Sequence, residues 1–387
     1  MDAAVIQAAA LDRGRLARLC ATTLLHFIGM GMFMSTLPLF VHFELNGSRA
    51  LVGVAVGAFF PAAVLSRPLI GSGLDSWGRR PFMLAATATM IVTSVLFLFA
   101  STVWMVIGLR LLQGFAGAAY YTGAATVATD IGPNERRAEV IALFSLFLYG
   151  GFAIGPAIGE WIAETFGYTQ VWLTAASVAA VSFFLATGLP ETLSDEAKGD
   201  GGRRFGLHGA AVGPGLVLLC TAAGYTAILA FAPLYARSIG MGVSGGLYAT
   251  FSITIFSFRL LTRKMADRHD RLAIVFPGFV GTAIGLTLLA AVQTPIAAYA
   301  GVAIYGLGFA VLFPALMAFV ADRVPESQKG SALATFTMFF DIGSGIGSYG
   351  VGLIADRAGF GAAFGTPAVM CALASVAVLT ALRRRET

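Results

Sequence analysis

Apolar stretches close to twenty residues long recur from one end of the chain to the other, and they constrain its fold more than any other feature. A helix rising 1.5 Å per residue needs roughly 20 apolar residues to cross a hydrocarbon layer about 30 Å thick. Hydropathy predicts twelve such spans, over 18–41, 50–72, 81–101, 104–127, 138–160, 168–188, 212–235, 243–263, 272–292, 295–320, 330–352 and 362–382. Of the 387 residues, 57% are hydrophobic and 12% charged, about half the ~25% charge that coats a soluble domain. Many spans carry Gly or Pro, which bundled membrane helices tolerate because neighbours satisfy the freed backbone groups. The expected fold is an all-α membrane protein.

Charge orients the spans. An even number puts both termini on one side, which collects nineteen Lys and Arg residues, among them Arg79, Arg80, Arg136, Arg137, Arg268, Arg271, Arg383, Arg384 and Arg385. The opposite loops hold three, Arg49, Arg237 and Arg357. Cytoplasmic loops are the Lys- and Arg-rich ones, so both termini are expected in the cytoplasm, and the arginine richness fits a bacterial inner membrane. The net charge of +5 then follows from topology and calls for no nucleic-acid partner. The first seventeen residues show no cleavable signal pattern. Cys20, Cys220 and Cys371 fall within spans, without disulfide-framework or metal-ligand spacing.

One long polar stretch, Glu191 to His208, divides the chain. Sliding the second half back by 192 residues brings Asp75 onto Asp267, Arg67 onto Arg259, Gly114 onto Gly306, Asp130 onto Asp322, Gly151 onto Gly343, Gly155 onto Gly347 and Gly167 onto Gly359. The first span needs a shift of 195, which matches Pro38 with Pro233. Glycines alone could coincide by chance in a glycine-rich chain; intramembrane arginines and loop aspartates at one spacing argue for a repeat. The predicted organisation is a six-helix bundle over 1–190, a cytoplasmic linker over 191–210 and a second six-helix bundle over 211–387. Parallel repeats of this kind are related by an axis along the membrane normal. A cavity between them opens to each side in turn as the halves rock.

Between the second and third spans runs Gly71-Ser72-Gly73-Leu74-Asp75-Ser76-Trp77-Gly78-Arg79-Arg80. It resembles the signature loop of the major facilitator superfamily, Gly-x3-Asp-Arg-x-Gly-Arg-Arg, with Ser76 in place of the first basic residue. The second copy keeps Asp267, Arg268 and Arg271 and lacks both glycines. Gly78 permits a sharp turn, Asp75 can accept hydrogen bonds from a helix N-terminus in the facing half, and Arg79 and Arg80 can pair with Asp130, whose repeat mate is Asp322. The resemblance implies that this cluster latches one state and breaks when the halves rock; enforcing topology is the plainer role for its arginines. Arg110, Gln113, Gly114 and Gly117 resemble the family's Arg-x2-Gln-Gly-x2-Gly motif, which implies that Arg110 influences protonation of a nearby acid. Snorkelling at the outer rim is the alternative. The fifth span carries Gly151-x3-Gly155-Pro156-x2-Gly159-Glu160, similar to the family's Gly-x3-Gly-Pro-x2-Gly-Gly motif, which is associated with antiport. Here Glu160 replaces the final Gly, and a simple packing kink is compatible with either direction.

Intramembrane ionisable residues are functional candidates by default, and few exist. Asp341 heads a stripe of Ser344, Gly345, Ser348 and Gly352 at helical spacing, a stripe that belongs against water or another helix. It is the candidate for binding a proton or a cationic substrate, with a structural hydrogen bond as the alternative. His26 can titrate near neutrality or simply pack. Tyr120, Tyr121, Tyr149 and Tyr225 are expected on the cavity face, which suits a hydrophobic or amphipathic molecule better than a sugar or phosphate. Arg67 and Arg259 read as structural residues that snorkel to the inner surface, and Glu160 and Glu164 as interfacially solvated. No Walker loop or nucleophile–base pair is present, so neither enzyme nor cofactor is expected. These features predict a secondary transporter, monomeric by the family's default, that exports a small organic molecule in exchange for protons. An importer or uniporter, or a membrane sensor or lipid flippase on the same scaffold, is the alternative.

Overall fold

A computed structural model describes residues 13–131, 137–193, 208–262, 271–324 and 329–386. Six helices come first. Helix α1 is Arg13–Leu39, running on into a π-helical turn at Phe40–Glu44; α2 is Arg49–Gly57 followed by Phe59–Ser76; α3 is Arg79–Leu96. They are followed by α4 Val103–Ile131, α5 Arg137–Phe166 and α6 Tyr168–Thr187. The second six begin with α7 Gly209–Ser238, α8 Gly245–Thr262, α9 Arg271–Ala291 and α10 Pro295–Ala321. The run Lys329–Glu386 turns back at Gly359, where φ is 76°, and so forms α11 before that residue and α12 after it. Its repeat mate Gly167, at φ 86°, makes the same turn between α5 and α6. Both conformations are left-handed, which glycine alone adopts freely.

All twelve expected spans are therefore helices, α1 and α5 extending beyond the apolar stretch. The expected linker falls mostly on 194–207, outside the described residues, as do Asp267 and Arg268.

Close approach of small residues holds each half together, as is usual where lipid removes the hydrophobic drive between helices. In the first half the motif of α5 is the seam against α1: a Cβ on Gly155 would stand 3.0 Å from the Gly31 Cα, and one on Gly159 2.9 Å from the Met32 Cα. In the second half Gly343 meets Leu219 Cα at 2.9 Å and Gly347 meets Ala223 Cα at 2.5 Å by the same construction, sealing α11 against α7. The glycine motif is thus used twice, once in each repeat.

Candidate functional site

A cavity of about 290 Å³ lies between the halves, lined from α1, α2, α4 and α5 on one side and α7, α8, α10 and α11 on the other. Its lining follows the internal repeat. Arg67 and Arg259, Tyr149 and Asp341, Leu148 and Phe340, Gly117 and Phe309, and Tyr121 and Phe313 all line it, and each pair is 192 residues apart. At the 195-residue shift, Met30 pairs with Tyr225 and Met34 with Leu229. A pseudo-twofold axis through the cavity explains this, since equivalent residues then face each other across it.

The polar groups form two such pairs. Arg67 on α2 directs Nε and Nη2 to Asp341 Oδ2 on α11, at 2.7 and 2.6 Å, joining the halves. On the other side of the axis, Arg259 on α8 donates from Nη1 to the Tyr149 hydroxyl on α5 at 2.6 Å, and from Nε to the Ala310 carbonyl at 3.1 Å. The two arginines therefore do not snorkel to a membrane surface, as their symmetry suggested; they are cavity groups bonded across the interface. Tyr121 and Tyr225 lie within electrostatic reach of this cluster. The Asp341 side chain is only 8% exposed, so breaking its pair leaves a buried charge, a loss of about 3–5 kcal/mol in comparable sites.

Arg110 reaches the same cavity two turns into α4. Its Nη1 donates to Gln113 Oε1 at 2.9 Å, its guanidinium lies 5.0 Å from the Phe59 ring centre, and its Nε has no protein acceptor. Gln113 in turn donates to Thr93 Oγ1 on α3 at 3.3 Å.

His26 and Tyr120 lie elsewhere. Tyr120, expected on the cavity face, is instead buried inside the first bundle, its ring stacked on His26 at 3.7 Å and its hydroxyl bonded to Thr22 Oγ1 at 2.5 Å. Neither ring nitrogen of His26 has a protein hydrogen-bond partner. One residue along α4, Tyr121 lines the cavity, because successive helical side chains point about 100° apart.

At the end of the bundle opposite the termini the halves close on each other. The stripe below Asp341 packs on α2: Ser348 Oγ donates to the Gly53 carbonyl at 2.9 Å, and a Cβ on Gly57 would stand 3.3 Å from the Gly345 carbonyl oxygen. Gly245 on α8, the repeat mate of Gly53, meets α5 in the same way, its added Cβ 2.7 Å from the Ala157 Cα.

Two carboxylates then clasp helix starts across the interface. Glu160 of α5 accepts from the Ser244 and Gly245 backbone N–H groups at 2.6 and 3.0 Å, and from the Ser244 hydroxyl. Asp356 of α11 accepts from the Arg49 and Ala50 N–H groups, both at 2.8 Å. Each acid offsets the positive end of a helix dipole in the other half. Glu160 is 2% exposed, so it is not the solvated interfacial group that sequence suggested, and Glu164 pairs with Arg237 at 3.6 Å. The sequence reading missed Gly53, Gly245 and Asp356, although the 192-residue register aligns the two glycines.

The loop cluster sits at the terminal end. Gly78, at φ 102°, starts α3. Arg79 Nε is 3.4 Å from Asp130 Oδ2, and its Nη1 donates to the Leu74 carbonyl at 3.0 Å. The backbone N–H groups of Arg79 and Arg80 donate to Glu191 at 2.9 and 3.1 Å, an anchor assigned in sequence only to the linker. Gly71 lies within α2 with open space around it, Asp322 caps the end of α10, and Arg271 begins α9. The side chains of Asp75 and Arg271 lie outside the described residues.

The model of the Major Facilitator Superfamily matches residues 19–325 and 215–387. An uncharacterized MFS-type transporter of Burkholderia mallei is 27% identical over 372 residues, covering 94% of this chain and 91% of that protein. One of Salmonella typhimurium is 27% identical over 381 residues, covering 96% and 97%. Among solved structures, a mutant of the nucleoside transporter NupG superposes with a TM-score of 0.82 at 15% identity, covering 95% of this chain and 99% of that one. A D-xylose-proton symporter superposes at 0.78 with 16% identity, covering 95% and 97%. At such identities the likeness is one of fold.

Proposed function

The chain belongs to the major facilitator superfamily, and we propose that it moves a small amphipathic organic molecule through the central cavity by alternating access, coupled to protonation of Asp341. The observation that carries this reading is the Arg67–Asp341 bond. It joins the halves at the cavity wall, so a proton on the carboxylate weakens a contact that the rocking motion must break. Proton binding and conformational change then share one element, as coupling requires.

With both termini in the cytoplasm, the closed end faces outward and the cavity belongs to an inward-facing state of a monomer in a bacterial inner membrane. The halves divide at the 191–210 segment. Export in exchange for protons is the direction we favour, on the likeness of Gly151, Gly155, Pro156 and Gly159 to the family's antiport motif. Uptake together with protons is a second reading with its own support: neutralising Asp341 frees the Arg67 guanidinium and adds positive charge to the cavity.

Inside-out vesicles with an imposed pH gradient test the proposal. Gradient-dependent accumulation with proton release marks exchange, and accumulation only with the gradient reversed marks symport. Movement of no compound in a broad panel of apolar acids, bases and neutral molecules would sink both readings.

A further inference from the structure

The charge in the cavity is one-sided. Among the described residues, three guanidiniums, Arg67, Arg110 and Arg259, line it against a single carboxylate, Asp341. Arg67 takes that carboxylate. Arg259 has only neutral acceptors, the Tyr149 hydroxyl and the Ala310 carbonyl. Arg110 has the Gln113 amide oxygen and the Phe59 ring, with Nε unpartnered and the residue 8% exposed. Guanidinium does not deprotonate in proteins, so two positive charges stand in an apolar-walled cavity without a counter-ion of their own. Charges placed within a membrane protein pair with one another or mark a substrate path.

We infer that this cavity binds an organic anion, a carboxylate or similar oxyanion on an aromatic body. Arginine is the side chain best matched to a planar oxyanion, through parallel charge-assisted N–H bonds. The remaining wall, with Phe59, Tyr225, Phe309 and Phe340, offers ring faces and edges to an aromatic body. A volume of about 290 Å³ is at the small end of ligand pockets, which start near ~300 Å³, and so sets the body at one or two fused rings. The inference rests on the reading that this cavity is the transport site, but not on the direction of transport.

The test uses the full chain in lipid nanodiscs and three probes of matched shape: 2-naphthoate, the neutral 2-naphthamide and the cationic 2-naphthylmethylammonium. Calorimetry should show naphthoate binding at least about tenfold more tightly than the other two, the scale of one charge-assisted hydrogen bond. Arg259→Gln should lose that preference, and Arg259→Lys should keep part of it. Tyr149→Asp retains every arginine while giving Arg259 a carboxylate partner, and should weaken naphthoate without weakening naphthamide. Equal or tighter binding of the amide or the ammonium, or no naphthoate binding at millimolar concentration, overturns the inference. Proteoliposomes separate the two levels: transport of neutral or cationic compounds alone removes the anion and keeps the transporter, whereas anion-selective binding without movement of any compound does the reverse.

Discussion

Arg259 donates to the Tyr149 hydroxyl across the interface at 2.6 Å, and these two residues occupy the positions that the internal repeat assigns to Arg67 and Asp341. The cavity therefore carries two versions of one cross-half bond. In one the acceptor is a carboxylate that can take a proton; in the other it is the hydroxyl of a neutral phenol. Gene duplication alone would give two like bonds. Under the proposed coupling, this difference puts proton handling on one side of the axis.

That assignment makes the two acceptors unequal under mutation. Asp341→Asn keeps a neutral acceptor for Arg67 and should abolish proton movement in vesicles while the protein still inserts. Tyr149→Phe removes a hydrogen bond from a charged group, worth about 1.5–3 kcal/mol, and should leave the proton-to-substrate ratio unchanged. Proton release retained by Asp341→Asn would remove that residue from the mechanism.

The carboxylate clasps at the closed end make a prediction about state rather than chemistry. Glu160→Gln and Asp356→Asn each weaken charge-assisted bonds to a helix start in the other half. At about 1.5–3 kcal/mol for bonds of this type, each should shift the balance toward opening of that end by roughly tenfold or more, and the pair should add because the clasps share no partner. Spin labels in the 45–48 and 240–243 loops would read the separation. Unchanged distances in the double variant would show that the clasps do not hold the gate.

The spans and the repeat were legible because crossing length, arginine bias and a fixed offset are one-dimensional properties. Partners across the axis were not. An offset says which residues are equivalent, not which ones meet, so the match of Arg67 with Arg259 reads as scaffolding in sequence although it places both beside the cavity. Glu160 stood out as the residue replacing a motif glycine, and only the fold shows the helix start it reaches. Tyr120 and Tyr121 are adjacent, and choosing between them needs the rotation of α4, which hydropathy cannot supply in a helix apolar on nearly every side.

Steric fit at the closed end gives a test that involves no charge. A Cβ on Gly53 would collide with the Ser348 carbonyl oxygen, and one on Gly245 would meet Ala157 Cα at 2.7 Å. Backbone atoms cannot swing aside as a side chain can, so α2 and α11, or α8 and α5, must separate. Gly53→Val and Gly245→Val should each trap the closed end open and slow transport while leaving insertion intact, because the atoms nearest each added Cβ lie in the other half. Cysteines placed at Met34 and Leu229 should then become labelled by a membrane-impermeant reagent applied from the side of that end. Wild-type transport rates in both variants would contradict the closed-end packing.

Acid should loosen the loop at the other end in a defined pH window. Burial alone would raise the Glu191 carboxyl, but four backbone N–H groups, from Leu193, Arg79, Arg80 and Thr192, outweigh it and hold the group below its ordinary value. A carboxylate depressed by folding contributes stability that is fully present above its unfolded pKa and is lost as pH falls through the folded value. The tie between 191–193 and the start of α3 should therefore hold from pH 7 down toward the ordinary Glu value of ~4.3 and be lost only as pH falls below it. Trp77, exposed beside Gly78, reports on it by fluorescence once the other three tryptophans are replaced by Phe. The acid transition should vanish in Glu191→Gln, whose signal at pH 7 should already resemble the acid form of the parent. A transition above pH 5, or one that survives the substitution, would assign the loop's acid response to another group.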